Sequence, residues 1–530
     1  MTQSKLRFFG FLLLIILIIF SFYNSLIIGL AWDENSHHIN GQLRWEYLKT
    51  FGEFKDYDYW SINPYNPGLY DTLHFVLSKL LANIFSNKYI VEIKHSINFI
   101  FSFLSIVGFF LLTKKIFSKD IAIIASILCL LNPFFFGHMG INPKDVIIFF
   151  SFVWFSYFFL KYLKGFEKKR IKNLIIFSFF IGFGCGTRIS FLLVIFPVLV
   201  LGLLILTKKF SNNINILIKN LLADFVISLF IVTFLIILCW PQLIDNGFSF
   251  FLDAIKNSVG WIAGPRLSLI NGNFYETSNT PPTYFLSFLI FKMPIYVTML
   301  ILLTLFLILK KNIIFFNKDN YFKFKFLFLI ILILFPIIIS IIFRVKIYDN
   351  IRLFLFLLPL VSLVAAFSLF YLLKTFKEFF YSKVFLFIIF LLLLPFSYRF
   401  LSITPYQYSY INFSYPYLEK SINKFEHDYW GTSFKELTNK MANKIGQKVL
   451  ANMKITICGG DPVSHIYYFK KHIKNKLFSK NEADYVLMTN RASFDVNNKT
   501  TCFDEFKGED LVTVSRLGLT LSTFRKLSKN

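Results

Sequence analysis

Apolar residues in this chain gather into continuous runs of about 18 to 25 positions, long enough to cross a hydrocarbon core as helices. Eleven such runs are predicted, near 8–30, 93–113, 120–136, 146–162, 173–187, 190–207, 220–240, 284–309, 326–343, 352–373 and 384–400. The fifth and sixth are split only by "GCGTRIS", and read either as two spans or as one broken hairpin. The runs do not alternate apolar with polar, so they predict a helical bundle rather than a membrane barrel.

Polar residues between the runs fall into two sets. One set holds "TKKIFSK", "KYLKGFEKKRIK", "TKKF", "KKNIIFFNKDNYFKFK" and "KTFKEFFYSK", and the N-terminus adds Lys5 and Arg7. The other holds "AWDENSHHINGQ", "FGHMGINPKD", "TRIS", "WPQLIDNG" and "RVKIYDNIR", with acids, His, Asn and isolated Arg. The positive-inside rule puts the Lys-dense set in the cytoplasm. An odd number of spans then puts the C-terminus outside. The first run has no small-residue cleavage site after it and reads as a retained helix.

Two outer segments are long. Residues 31–92 contain "DTLHFVLSKLLANIF" (71–85), with apolar residues near helical spacing but too short and too polar-edged to span; this predicts a helix in the interface plane. Residues 241–283 contain a Gly/Pro/Asn-rich stretch suited to covering a site. After residue 400 the pattern changes. A transmembrane domain, 1–400, is predicted to precede a small extracytoplasmic α/β domain, 401–530. In the latter, "TSFKELTNKMANKI" and "DPVSHIYYFKKH" read as helices, and "KITICG" and "ADYVLM" as strands. "LVTVSRLGLTLSTFRKL" reads as a hairpin turning near Gly518.

Composition sharpens this picture. Of 530 residues, 56% are hydrophobic and 16% charged, against roughly 25% charged in an ordinary soluble domain. The net charge of +26 resides in loops of one membrane face, so it argues for membrane topology and not for nucleic acid. Cys129, Cys185 and Cys239 lie within apolar runs and read as packing residues. Cys458 and Cys502 lie in the tail, where an oxidising outer compartment lets them pair.

The chemistry concentrates on the outer side. Asp33 and His37, and likewise Glu34 and His38, are spaced i, i+4 and share helix faces. An acid here either caps the helix or serves as a general base beside an apolar site; a metal site of carboxylate and imidazole is a third reading. In "FGHMGINPKD", Asn142, Pro143 and Asp145 fit a helix-capping turn. Lys144 does not, because its charge opposes the dipole at a helix N-terminus, and this predicts an anionic partner. Arg188 and Arg352 each stand at the outer end of a span, either as snorkelling anchors or as phosphate-holding forks. A lipid-anchored sugar phosphate fits this set: its tail needs an apolar groove, its phosphate needs cations, and its sugar must meet an acceptor hydroxyl beside a base.

At these residues the chain resembles a known family. "WDENSHHINGQLRWEYL", "FGHMGINPKD", "NIRLFLFLLP", "PYQYSYIN" and "DYWGTSFKEL", in that order along this hydropathy pattern, are similar to the GT-C membrane glycosyltransferases. The branch is that of the protein O-mannosyltransferases and the lipid A aminoarabinose transferase (family 39). The resemblance implies an enzyme that transfers a hexosyl or pentosyl group, with inversion, from a polyprenyl phosphate to a hydroxyl of a lipid, glycan or protein acceptor in the bacterial plasma membrane. It implies Asp33 as the base and Glu34 as its positioning partner, with Lys144, Arg188 and Arg352 on the leaving phosphate. His37, His138 and Asp145 are then substrate-binding candidates. Some members hold a divalent metal near the phosphate, and His37 and His138 are its candidate ligands here. The tail lacks the β-trefoil insert of eukaryotic protein mannosyltransferases, which favours a bacterial enzyme. The rival readings are a flippase of lipid-linked sugars, an O-antigen polymerase or ligase, and a structural subunit with a degenerate site. A flippase predicts mid-span charges and inverted repeats, whereas the acids here lie in loops.

Overall fold

The computed structural model describes residues 3–57, 64–166, 169–258, 266–311, 313–316, 321–376, 383–462, 467–468, 477–493 and 497–528. All eleven predicted runs are helical over most of their length. The helices are α1 (Gln3–Ile27), α2 (Glu34–Lys49), α3 (Leu69–Phe85), α4 (Ile90–Ile116), α5 (Lys119–Leu130), α6 (Pro133–His138), α7 (Asp145–Lys164), α8 (Arg170–Cys185), α9 (Phe191–Lys209) and α10 (Ile214–Leu238). There follow α11 (Pro241–Ser258), α12 (Thr283–Phe291), α13 (Ile295–Leu309), α14 (Ile313–Phe316), α15 (Phe322–Ile342), α16 (Leu357–Thr375) and α17 (Lys383–Ser402).

Among the described residues, seven helices are long and apolar enough to span a membrane, and a bent pair makes an eighth. Two predicted spans are broken. The run 284–309 bends by 113° between α12 and α13, because Pro294 takes an extended backbone there and cannot donate to the helix ladder. The run 120–136 stops after the 12 residues of α5, about 18 Å of helix against a core of about 30 Å. Asn132 ends it by capping α6, accepting from the amides of Phe134 and Phe135 at 3.1 and 3.2 Å, with Pro133 in the first helical position.

Helices α4, α7, α9 and α16 each carry lysine in the last turn. The acids Glu92 and Asp145 stand in the first turns of α4 and α7. Both placements suit the helix dipole. Within the bundle, α13 and α16 are joined by hydroxyl bonds: Thr304 donates to the Val364 carbonyl at 2.8 Å, and Ser368 to Leu300 at 2.6 Å. Helix α3 covers the predicted interfacial segment. It buries Tyr70, Asp71, His74, Phe75, Ser78 and Ala82 and exposes Leu80, Ile84 and Phe85. It lies so close to α2 that a Cβ on Gly41 would sit 2.1 Å from the Asp71 carbonyl oxygen.

The 241–283 segment supplies α11 and a hairpin of β1 (Leu267–Ile270) and β2 (Asn273–Glu276). Ile270 bridges to Phe425, which ties the hairpin to the tail. The tail forms α18 (Phe434–Ile445), then β3 (Ile455–Cys458), β4 (Tyr485–Thr489), β5 (Gly508–Arg516) and β6 (Leu519–Leu527), in the sheet order β3-β4-β6-β5. The helix, strands and hairpin fall where the sequence puts them. The hairpin turns on Leu517 and Gly518, both at positive φ, as a two-residue connection requires. Most of the predicted helix "DPVSHIYYFKKH" lies outside the described residues. Cys458 and Cys502 are joined in a disulfide, and Cys129, Cys185 and Cys239 are free and buried.

Candidate functional site

The start of α2 carries two adjacent acids with different surroundings. Asp33 occupies the capping position but makes no side-chain cap bond. Its carboxylate instead accepts from Arg352 Nη1 at 2.7 Å and stays 25% exposed. Burial pushes this carboxyl up, but Arg352, His37 and Arg266 more than offset it and hold it well below the usual carboxylate range. Glu34 is buried. It accepts from the Ala31 amide at 2.7 Å and lies 3.1 Å from Nε2 of buried His95. Glu34 therefore ties the start of α2 to α4.

Arg352 is the hub of the site. Besides Asp33, it meets Asp349 at 3.2 Å and Asp145 at 3.9 Å, and its guanidinium lies over the rings of Tyr348 and Trp430. Asp145, in the first turn of α7, pairs with Arg188 at 3.0 Å and accepts from Asn142 at 3.1 Å. Asn142 in turn accepts from the Asp145 amide at 2.8 Å, the turn geometry that "NPKD" predicts. Asp33, Arg352, Asp145 and Arg188 thus form one chain of alternating charge.

Lys144 lies beside this chain, buried, and its amine makes no hydrogen bond or ion pair with any described residue. Burial and then Arg188 pull it down to about 7, while Asp71, Asp145 and Asp33 hold it up. The side chain is buried, but its amine is not among the sealed atoms that lack a partner, so an anion that reaches the site meets an uncommitted cation.

The imidazoles are dispersed. His37 Nδ1 lies 3.1 Å from Asp71. His38 faces the other way and packs on Phe75; burial and then Lys94 push it down to about 3. His138 is fully buried, with Nε2 2.9 Å from the Tyr429 hydroxyl and Nδ1 3.4 Å from Asn142. Among the described residues, no group of three or more His, Cys, Asp or Glu has the geometry to hold a metal. His37 and His138, the candidate metal ligands, do not fit one: each is committed to a different partner, and His138 has both nitrogens engaged.

Four site residues escape the sequence analysis as site candidates: Asp71, Asp349, Trp430 and Arg491. Asp71 accepts from Asn40 at 2.5 Å as well as meeting His37. Asp349 accepts from Trp430 Nε1 at 3.2 Å and pairs with Arg491 at 2.8 Å. Three of them lie within the quoted segments "DTLHF", "RVKIYDNIR" and "DYWGTS", so their neighbourhoods are marked although their roles are not.

The chain shares its fold with ArnT from Cupriavidus metallidurans, at a TM-score of 0.50 and 11% identity. In the form of that protein bound to undecaprenyl phosphate, the match covers 99% of this chain and 98% of ArnT; for the apo form it covers 97% of each. The oligosaccharyltransferase AglB from Archaeoglobus fulgidus, solved with an inhibitory peptide and a dolichol-phosphate, aligns at 12% identity and a TM-score of 0.48. That alignment covers 92% of this chain and 70% of AglB. Within the sequence, residues 73–240 match the family model of the dolichyl-phosphate-mannose-protein mannosyltransferases. No curated protein matches the chain by sequence.

Proposed function

We propose that this protein is an integral-membrane glycosyltransferase that moves a sugar from a polyprenyl phosphate to an acceptor hydroxyl. The observation that carries this reading is the buried, unpartnered Lys144 beside the Arg352–Asp33 pair: an acid and two cations at the outer mouth of an apolar bundle. The donor phosphate takes Lys144 and Arg352 as its counter-charges, with Arg188 behind them. In drawing on Arg352 it loosens that arginine's hold on Asp33, and the carboxylate regains basicity.

Asp33 then accepts the proton of the acceptor hydroxyl. The freed oxygen attacks the anomeric carbon from the face opposite the phosphate. The bond from carbon to phosphate oxygen breaks, the phosphate leaves with the electron pair, and the configuration inverts. Asp145 holds Arg188 and Arg352, and His37 with Asp71 fixes the rim beside Asp33. Glu34 and His138 act through the fold. No step is routed through a metal. The sugar is a hexose or a pentose, and the acceptor a lipid, glycan or protein. The site faces outward from a bacterial plasma membrane, with the N-terminus cytoplasmic and residues 401–530 outside as a capping domain.

The test is release of radiolabelled sugar from a panel of polyprenyl-phosphate sugars, with native membrane lipids and glycans as acceptors, by wild type and Asp33→Asn side by side. Release by wild type alone, from variants that both bind donor, supports the transferase. Donor crossing the bilayer of vesicles without release supports a flippase instead.

A further inference from the structure

The tail reaches the site through Arg491. This residue follows strand β4, is 4% exposed, and sends its guanidinium inward. Nη2 pairs with Asp349 at 2.8 Å, Nη1 donates to the Tyr429 carbonyl, and the cation lies over the ring of Trp32, the neighbour of Asp33, at 4.5 Å. The Trp32 amide donates to the Trp430 carbonyl at 3.0 Å. The disulfide-bonded Cys502 donates its amide to the Arg491 carbonyl at 2.8 Å, so the covalent staple of the tail seats the strand that delivers the arginine.

Asp349 is the shared element. Its carboxylate serves two guanidinium groups, Arg491 and Arg352, while Arg352 serves Asp349 and Asp33 closely and Asp145 at 3.9 Å. We infer that Arg491 is a positioning residue: by supplying half of the counter-charge of Asp349, it leaves Arg352 free to face Asp33 and the donor phosphate. This rests on the phosphate-binding reading above. Without Arg491, Asp349 draws Arg352 toward itself and away from the phosphate position.

The geometry predicts a rescue that a merely structural arginine would not give. Full-length protein is reconstituted in nanodiscs and titrated with undecaprenyl phosphate, comparing wild type, Arg491→Gln, Arg491→Lys, Asp349→Asn and the double variant Asp349→Asn/Arg491→Gln. Disulfide formation and melting temperature are checked for each. Arg491→Gln is expected to weaken binding by roughly tenfold. Arg491→Lys, which keeps the charge and loses the fork, should keep part of the affinity. The double variant should regain most of it, because the carboxylate that competes for Arg352 has lost its charge. Unchanged binding by Arg491→Gln, or a double variant no better than that single one, overturns the inference and leaves the transferase reading standing. Absence of binding by wild type removes both. If Arg491→Gln does not fold, Arg491→Lys and its pair with Asp349→Asn carry the same comparison.

Discussion

The two faces of α2 show how the same residue types come to different ends. On one face Asp33 and His37 look toward Arg352, Asp71 and the unpartnered Lys144. On the other, Glu34 is sealed against His95 and the Ala31 amide, and His38 packs on Phe75. Adjacent carboxylates thus serve different ends. One keeps an exposed edge and a competitor-sensitive ion pair; the other satisfies buried donors. Chemistry requires the first kind of surrounding and stability the second. A sequence motif of two acids does not say which is which.

The contrast is broken most sharply by Asp33→Asn, expected to lower sugar release by about 100-fold or more while leaving the melting temperature near wild type. An equal loss of stability would put Asp33 with Glu34. Next is Lys144→Met, which should raise the donor KM by roughly tenfold. Because the Lys144 amine sits near 7, it is charged below that pH and neutral above. Wild-type donor affinity should therefore weaken from pH 6 to pH 8, and the variant should lose that slope. Glu34→Ala is expected to cost about 1–3 kcal/mol of stability, read as a lower melting temperature, with turnover per folded molecule nearer wild type than Asp33→Asn gives. The smallest effect belongs to His38→Phe. The Nδ1 of His38 is buried without a partner, so an apolar ring there should change stability by less than about 1.5 kcal/mol and leave turnover intact.

Much of this was legible in the chain. Continuous apolar runs marked the helices because bilayer-facing and core-facing residues are both apolar. The tail strands and their hairpin followed from short apolar runs and the Leu517-Gly518 turn. Asp33, Lys144, Asp145, Arg188 and Arg352 were singled out because charge is rare near spans, and the fold brings all five together. The breaks at Asn132-Pro133 and Pro294 were hidden by windows that average hydropathy over a proline. Asp349 and Arg491 were not recognisable as partners, since they are 142 positions apart and neither periodicity nor spacing records such a meeting. His138 is buried and bonded at both ring nitrogens, and the sequence does not separate such a histidine from a ligand.

The pairing of Arg352 with Asp33 spans 319 positions, and Arg491 stands 142 positions beyond Asp349. Chains are made from the N-terminus onward. The acid therefore emerges well before its guanidinium partner, which arrives only after most of the helices, and the brace on that partner comes later still. Until Arg491 has been made and its segment has been stapled by the Cys458–Cys502 disulfide and docked, the Asp33–Arg352–Asp349 cluster stands without its brace. The centre is thus assembled late, by segments far apart in the order of synthesis.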